Sequence, residues 1–462
     1  MGSVLIGIDI GSTKVCAIIA EKKEGAVTIM GTGIARSQGL KKGSVTNIEQ
    51  AAKSIRQALS DAKRVAGIEA NRAIVSISGT YTKSLNSYGV VNVPSKEIGL
   101  KEINRAIQAA LYNANIPSDY ELIHALPYNF RVDDQDFIED PAGMSGSRLE
   151  VSIHIIATQK SSLENLTKTI RLAGIEIENI VLSSYASSIA VLGDDEKELG
   201  VAVIDIGGST SNLAIHLGNS LRYTDFVAIG SNHITSDLSM ALHTPLQIAE
   251  KIKIDYGSLH GNSNELIEIP MIGDDQATQQ VSLEIVSNVI YARVEETLMI
   301  LAKSLEKSGF KNALGAGVVL TGGMTKLDGL RELAQAVFDN LPVRIARPRE
   351  MEGLFESLRD PSYATALGLV LYGLGEHALY EIDSNRRIRP RASDENYAAT
   401  AALESGEFSP YRSSQEETLP QNRGHQQREE ESAPTLKPVN GRQDEGLLSG
   451  FEKFWNWLKH LF

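Results

Sequence analysis

Twice in 462 residues the chain spells an apolar run that ends in an aspartate and breaks into a turn of glycine and hydroxyl side chains. The first is "VLIGIDIGSTKVCAII" around Asp9, and the second is "VAVIDIGGSTSNLAI" around Asp205. Short, nearly continuous apolar runs predict strands buried on both faces of a mainly parallel sheet. A Gly/Ser/Thr turn after such a strand suits phosphate, because backbone N–H groups and hydroxyls surround its oxygens where glycine allows close approach. The aspartate at the strand end is placed to hold a hydrated Mg2+, which keeps most of its waters and bridges to phosphates. Two such turns facing each other clamp a polyphosphate from both sides, and Lys14 adds a point charge. The spacing Gly7, Gly11, Lys14, with Val15 next, is not that of a Walker A loop.

A third stretch, "GVVLTGGMTKLDGL" at 317–330, is again a buried strand entering a turn, here at Gly322, Gly323 and Met324, with a helix opening through "LDGLRELAQAVF". A flat ring can approach paired glycines closely. In a fourth, "PLQIAEKIKIDYG", Glu250 and Lys253 lie three apart on one predicted helical face. That face reaches a ribose or base, or it carries an ordinary surface ion pair. The spacing leaves both open.

At 42% hydrophobic residues the chain can bury a large core and divide into several domains. A net charge of −13 and a pI of about 5.3 argue against a broad nucleic-acid surface. The single cysteine, Cys16, makes no internal disulfide, which suits the reducing cytoplasm. Inside its apolar run it reads as a buried thiol and not as a nucleophile. The N-terminal run lacks a basic leader and carries Asp9, so no secretory signal is expected. Ile6 stands where a myristoylation signal needs Ser or Thr. No apolar run reaches the roughly 18 residues that a membrane span needs.

Residues 46–66 predict an amphipathic helix: Thr46 with Glu49 makes a capping box, Ile48, Ala52, Ile55, Leu59 and Ala62 form one stripe, and Gly67 ends it. A strand, "RAIVSISG", follows, so strands and helices alternate as an α/β fold requires. From residue 382 the texture turns polar and almost free of large aliphatics, which predicts a disordered linker over 382–445. A flexible coil of that length has ends roughly 40–50 Å apart. Then "GLLSGFEKFWNWLKHLF" restores helical periodicity over 446–462. Leu447, Leu448, Phe451, Phe454, Trp455, Trp457, Leu458, Leu461 and Phe462 are its lipid-facing candidates, with Glu452, Lys453, Asn456, Lys459 and His460 largely opposite. Such a helix lies in the membrane interface, held mostly by apolar burial and made durable by display of many copies. Folding back on the core and docking to another protein are the alternatives.

These stretches resemble the actin, heat-shock chaperone and sugar kinase ATPase superfamily and, within it, the FtsA family of bacterial cell-division proteins. The resemblance rests on "IGIDIGSTKVCAI", "IHALPYNFRVDDQDFIEDPAGMSGSRLEVSIHIIA", "VIDIGGSTSNLAI", "SNHITSDLSMALHTPLQIAEKIK", "LTGGMTKLDGL" and "DPSYATALGLVLYG". It implies an α/β, actin-like fold of two related ATPase-core domains around a nucleotide cleft, each with an inserted subdomain. Residues 3–81 and 161–198 would form the first core, and 82–160 an insert contacting the next subunit in a filament. Residues 199–228 and 301–380 would form the second core, and 229–300 an insert receiving the C-terminal peptide of FtsZ. Carried over by position, Gly11, Ser12, Thr13 and Lys14 make the first phosphate loop, and Gly207, Gly208, Ser209 and Thr210 the second. Asp9 and Asp205 flank Mg2+, Glu250 and Lys253 sit beside the ribose, and Gly322, Gly323 and Met324 hold the adenosine of ATP. Within "YARVEET", Arg293 is the candidate FtsZ-contacting residue, or else an exposed helix charge.

Ser183 stands where related ATPases carry a glutamate that positions the attacking water. A serine hydroxyl is no general base unaided, so slow or negligible hydrolysis is expected. The resemblance thus implies an ATP-binding protein that polymerises on the cytoplasmic face of the membrane at the division site. There it would tether FtsZ filaments and recruit later divisome membrane proteins, without binding nucleic acid. A small-molecule kinase and another actin-like scaffold are the competing readings.

Overall fold

The computed structural model describes residues 3–23, 26–261, 265–354 and 356–389. Its frame is a pair of five-stranded sheets built on one plan. In the first, Ser3–Ile10 runs centrally, antiparallel to Lys14–Lys23 and parallel to Arg72–Ile77. Ala26–Arg36 and Glu176–Leu182 close the two edges. In the second, Val201–Ile206 runs antiparallel to Ser211–Leu217 and parallel to Gly317–Thr321, with Ser220–Val227 and Val343–Ile345 at the edges.

Half the ladders in each sheet are therefore antiparallel, which corrects the expected mainly parallel arrangement. The cause is loop length. Ile10 pairs with Val15 and Ile206 with Ser211, so each aspartate strand turns straight back in a hairpin. A parallel return needs a much longer crossover.

The helix Ile48–Ala66 covers the first sheet, with Ala52, Ile55, Leu59 and Ala62 buried. It lies close enough to the strand Ala26–Arg36 that a Cβ on Gly33 would fall 1.9 Å from the Ala58 carbonyl oxygen. Its cap is Asn47, whose side chain accepts from the Gln50 N–H, and not Thr46. The Thr46 hydroxyl donates instead to the Gly39 carbonyl, which removes it from the helix end. Gly67 ends the helix in the left-handed region as expected. Cys16 is fully buried, and burial followed by the neighbouring Asp9 pushes its thiol up to about 12.

The first insert is an antiparallel sheet of Thr82–Asn92, Tyr120–Val132, Gln135–Ile138 and Arg148–Gln159, with helix Leu100–Asn113 on one face. It has an apolar core of its own. The second insert comprises helices Ser231–Ala241 and Leu246–Tyr256, a hairpin of Leu266–Met271 with Asp274–Ser282, and helix Leu283–Lys307. Unlike the first, it shares one continuous core with the second sheet.

Two expected boundaries are corrected. The helix Ala364–Gly373 belongs to the first core, not the second: it packs on Ser183–Val191 and on the strand of Asp9. A Cβ on its Gly368 would fall 1.8 Å from the Ala186 carbonyl oxygen, so the two helix backbones touch. The linker does not begin at 382. Glu381–Ile382 and Ile388–Arg389 add two short strands to the sheet of the first insert. Asn179 clasps this segment through Asp383, and Ser384 bonds back to Asn179. The remaining linker and the whole helix expected at 446–462, with all nine of its lipid-facing candidates, lie outside the described residues. No described helix is long and apolar enough to cross a membrane.

Candidate functional site

The hairpins of the two sheets meet at a cleft of about 470 Å³. Gly11, Ser12, Thr13, Lys14, Gly207, Gly208, Thr210, Glu250, Lys253, Gly322, Gly323 and Met324 line it together with Asp9 and Asp205. Ser209 does not. Its hydroxyl accepts from Asn232 Nδ2 at 3.0 Å, tying the second loop to the helix behind it.

The two loops share one bonding pattern. The Gly11 N–H donates to the Lys14 carbonyl at 3.1 Å, and the Gly207 N–H to the Thr210 carbonyl at 2.8 Å. They also touch, since a Cβ on Gly208 would fall 2.0 Å from Thr13 Oγ1. Behind the second loop, the Ser231 and Asn232 N–H groups donate to the Gly207 and Gly208 carbonyls. Two turns far apart in the chain thus form one surface of N–H groups and hydroxyls, the chemistry a polyphosphate needs.

Each aspartate is held by a hydroxyl. Ser76 Oγ donates to Asp9 Oδ1 at 2.9 Å while accepting from the Ile10 N–H. Thr365 Oγ1 donates to Asp205 Oδ2 at 3.0 Å. Burial pushes Asp9 up, and Ser76 and Lys14 offset this only in part. Burial and then the charge of Asp9 push Asp205 up to about 6, against hydrogen bonds from Thr365 and Ser187. A cation between them would favour both carboxylates.

Whether Mg2+ fits can be judged from the donors present. No cluster of three His, Cys, Asp or Glu side chains occurs among the described residues. Mg2+ does not require one, because one or two carboxylates with phosphate oxygens and waters complete its shell. Asn212, opposite Asp205 in the ladder, lines the cleft, and its buried Oδ1 has no partner. A buried acceptor of this kind lacks a donor such as a metal-bound water. The residues fit a hydrated dication.

Lys14 Nζ donates to Ser362 Oγ at 2.7 Å and sits 3.2 Å above the Tyr363 ring. Burial lowers its pKa. The Gly322 backbone passes so near the second aspartate that a Cβ would fall 2.4 Å from Asp205 Oδ1, and its φ of 90° also requires glycine. A short 3-10 turn, Gly323–Lys326, follows this Gly-Gly turn, and the helix Leu330–Val337 lies within the stretch expected to form it.

Glu250 and Lys253 are paired at 2.7 Å, but not as a surface pair. Lys253 is only 9% exposed and also donates to Thr235 Oγ1 at 3.0 Å. Ser183 lines the cleft, and its hydroxyl donates to the Ile77 carbonyl at 3.0 Å. Arg293 lies in the second insert, where it joins helices Ser231–Ala241 and Leu283–Lys307 through Asp237 and also meets Glu296. It is not a free helix charge. Sequence reading missed Ser76, Asn212, Ser362 and Thr365. The last two lie in "DPSYATALGLVLYG", which carries no phosphate-loop pattern of its own.

Two family models match the chain: Cell division protein FtsA over residues 202–368, and the SHS2 domain inserted in FTSA over residues 79–157. A cell division protein FtsA of Helicobacter pylori (strain J99) is 43% identical over 425 residues, covering 85% of this chain and 86% of that protein. The chain belongs to the FtsA family. The cell division protein FtsA of Escherichia coli (strain K12) is 31% identical over 83% of this chain and 94% of its own. In the solved PilM–PilN type IV pilus biogenesis complex, a chain aligns with 80% of this one and 98% of itself, at a TM-score of 0.58 and 19% identity. That likeness is one of fold, the actin-like mixed α/β fold. In this FtsA-family chain the matched SHS2 segment coincides with the antiparallel first insert.

Proposed function

We propose that this FtsA-family protein binds Mg2+·ATP between its two hairpin loops and polymerises on the cytoplasmic face of the cell membrane. There it tethers FtsZ filaments and recruits later divisome membrane proteins. The observation that carries the nucleotide part is the pairing of equivalent loops over Asp9 and Asp205 in one cleft. Lys14 and the Gly207–Thr210 loop would meet the phosphates, Glu250 and Lys253 the ribose side, and Gly322, Gly323 and Met324 the adenosine. Mg2+ would neutralise charge between the two carboxylates and the phosphates when bound.

Nucleotide serves here as a structural ligand. The Ser183 hydroxyl, which donates to the Ile77 carbonyl, is too weakly basic to take a proton from water, so slow turnover is expected. Membrane attachment is assigned to 446–462 through its aromatic and leucine residues, and the first insert, 82–160, to the filament contact. The second insert would take the C-terminal peptide of FtsZ. Arg293 can serve there by exchanging Glu296, 46% exposed, for a peptide carboxylate while Asp237, 11% exposed, keeps its grip.

The test is co-sedimentation of the full chain, and of a chain lacking 447–462, with vesicles of anionic and zwitterionic lipid in the presence of Mg2+·ATP, alongside capture by an immobilised FtsZ C-terminal peptide. Membrane tethering requires pelleting that depends on the terminal segment. Equal pelleting of the two chains, or no capture by the peptide, removes the corresponding part of the reading.

A further inference from the structure

The carboxylate of Asp205 is fixed by a residue from the other half of the molecule. Asp205 lies on Val201–Ile206 in the second sheet. Thr365 lies in the first turn of Ala364–Gly373, a helix whose apolar residues pack in the core of the first sheet. That helix has little freedom: Gly368 presses on the Ala186 backbone, and a Cβ on Gly7 would fall 3.1 Å from Leu369 Cβ. Thr365 is 7% exposed, and its hydroxyl takes Oδ2 of Asp205. The Gly322 backbone passes close to Oδ1, the other oxygen of this carboxyl. The carboxyl is thereby held in one orientation.

Asp9 is held differently. Its hydroxyl, Ser76, comes from the adjoining parallel strand of the same sheet. The first carboxylate therefore keeps its aim however the halves move, whereas the second is aimed only while Thr365 and Asp205 are within reach. Ser187, on Ser183–Val191, also reaches Asp205, but its single hydroxyl proton is shared with the Ser184 carbonyl of its own helix.

We propose that Thr365 is a positioning residue for the cation, orienting Asp205 from across the cleft so that Mg2+ engages only when the two halves are in register. This rests on the reading of the cleft as an Mg2+·nucleotide site. A hydroxyl that fixes one carboxylate oxygen leaves the other presented to a metal-bound water, and loss of such outer contacts lowers metal affinity without removing a ligand.

The experiment compares ATP affinity in Mg2+ with that in EDTA, by calorimetry on the full chain, for the unaltered protein and for Thr365→Val, Thr365→Ala and Thr365→Ser. The unaltered chain should bind more tightly in Mg2+. Thr365→Val and Thr365→Ala should both lower the Mg2+/EDTA affinity ratio by about tenfold, the scale of one hydrogen bond to a charged acceptor, with little change in EDTA. Thr365→Ser keeps the hydroxyl and should restore the ratio. An equal loss in Mg2+ and EDTA would assign Thr365 a purely structural role and overturn the proposal, as would an unchanged ratio. Absence of ATP binding by the unaltered chain in either condition would remove the functional reading and this inference together.

Discussion

His124 Nδ1 donates to Glu381 Oε1 at 2.7 Å, joining two fully buried side chains that stand 257 positions apart. The tautomer follows from the other ring nitrogen, because His124 Nε2 accepts from the Leu182 N–H at 3.1 Å. Tyr185 and Tyr372 also donate to Glu381. Burial pushes the Glu381 carboxyl up, but His124, His377 and the Tyr372 hydroxyl more than offset it, so the group is an ionised acceptor. Leu182 directly precedes Ser183 in the cleft. The short strand Glu381–Ile382 is thus two hydrogen bonds away from the cleft lining.

Removing that acceptor should be costly. Glu381→Ala leaves three buried donors without a partner and should lower unfolding free energy by about 3 kcal/mol or more. Glu381→Gln, which retains one acceptor oxygen, should lose less. Denaturant titration of both variants reads the difference, and a loss below about 1 kcal/mol for Glu381→Ala would show that water replaces the carboxylate.

Gly208→Ala tests the contact between the loops. The new methyl would lie 2.0 Å from Thr13 Oγ1, so Thr13 must turn aside or the hairpins must separate. ATP affinity should fall at least about tenfold, equivalent to about 1.4 kcal/mol. Thr13→Ala in the same chain removes the obstructing oxygen and should recover part of the loss. A double variant no better than Gly208→Ala would place the damage elsewhere in the loop.

Gly368→Ala addresses the joint between the two core helices. Its methyl would sit 1.8 Å from the Ala186 carbonyl oxygen, and a backbone atom cannot rotate out of the way. Overpacking of this degree should cost about 3 kcal/mol. Thermal unfolding should record a clearly lower midpoint, and a wild-type midpoint would mean that the helices are not held this closely.

Acid should weaken the fold through His154 and His216. Burial holds both near 3, with Arg222 adding to the effect at His154 and Lys197 at His216. In the unfolded chain they titrate near 6.5. Between those values the unfolded state binds more protons, so stability is fully present above about pH 6.5 and falls as pH drops towards 3. Each histidine should remove about 2 kcal/mol between pH 7.5 and pH 5. His216→Asn should flatten that slope, and an unaltered slope would exclude its contribution.

What the sequence could reveal was local. The two Asp-Gly turns, the Gly-Gly turn and the Glu250–Lys253 spacing each lie within one stretch of chain, and all converge on the cleft. The partners that orient them do not share that locality: Thr365 lies 160 positions from Asp205, and Ser362 lies 348 from Lys14. No periodicity links such residues. The strands at 381–389 escaped notice because their polar side chains resemble linker, although Asp383 is satisfied by Asn179 and by the Asn385 and Arg387 N–H groups. Short hairpins were likewise hidden in apolar runs, since a strand buried on both faces has the same composition whichever way its neighbour runs.

The pairing of Ile382 with Ala125 also sets a mechanical order. A pull applied beyond Arg389 loads the edge of the first insert and the Asn179–Asp383 clasp before any strain reaches the hairpin loops. Load entering there is divided between the edge of the insert and Asn179 on the first sheet, both away from the hairpin loops.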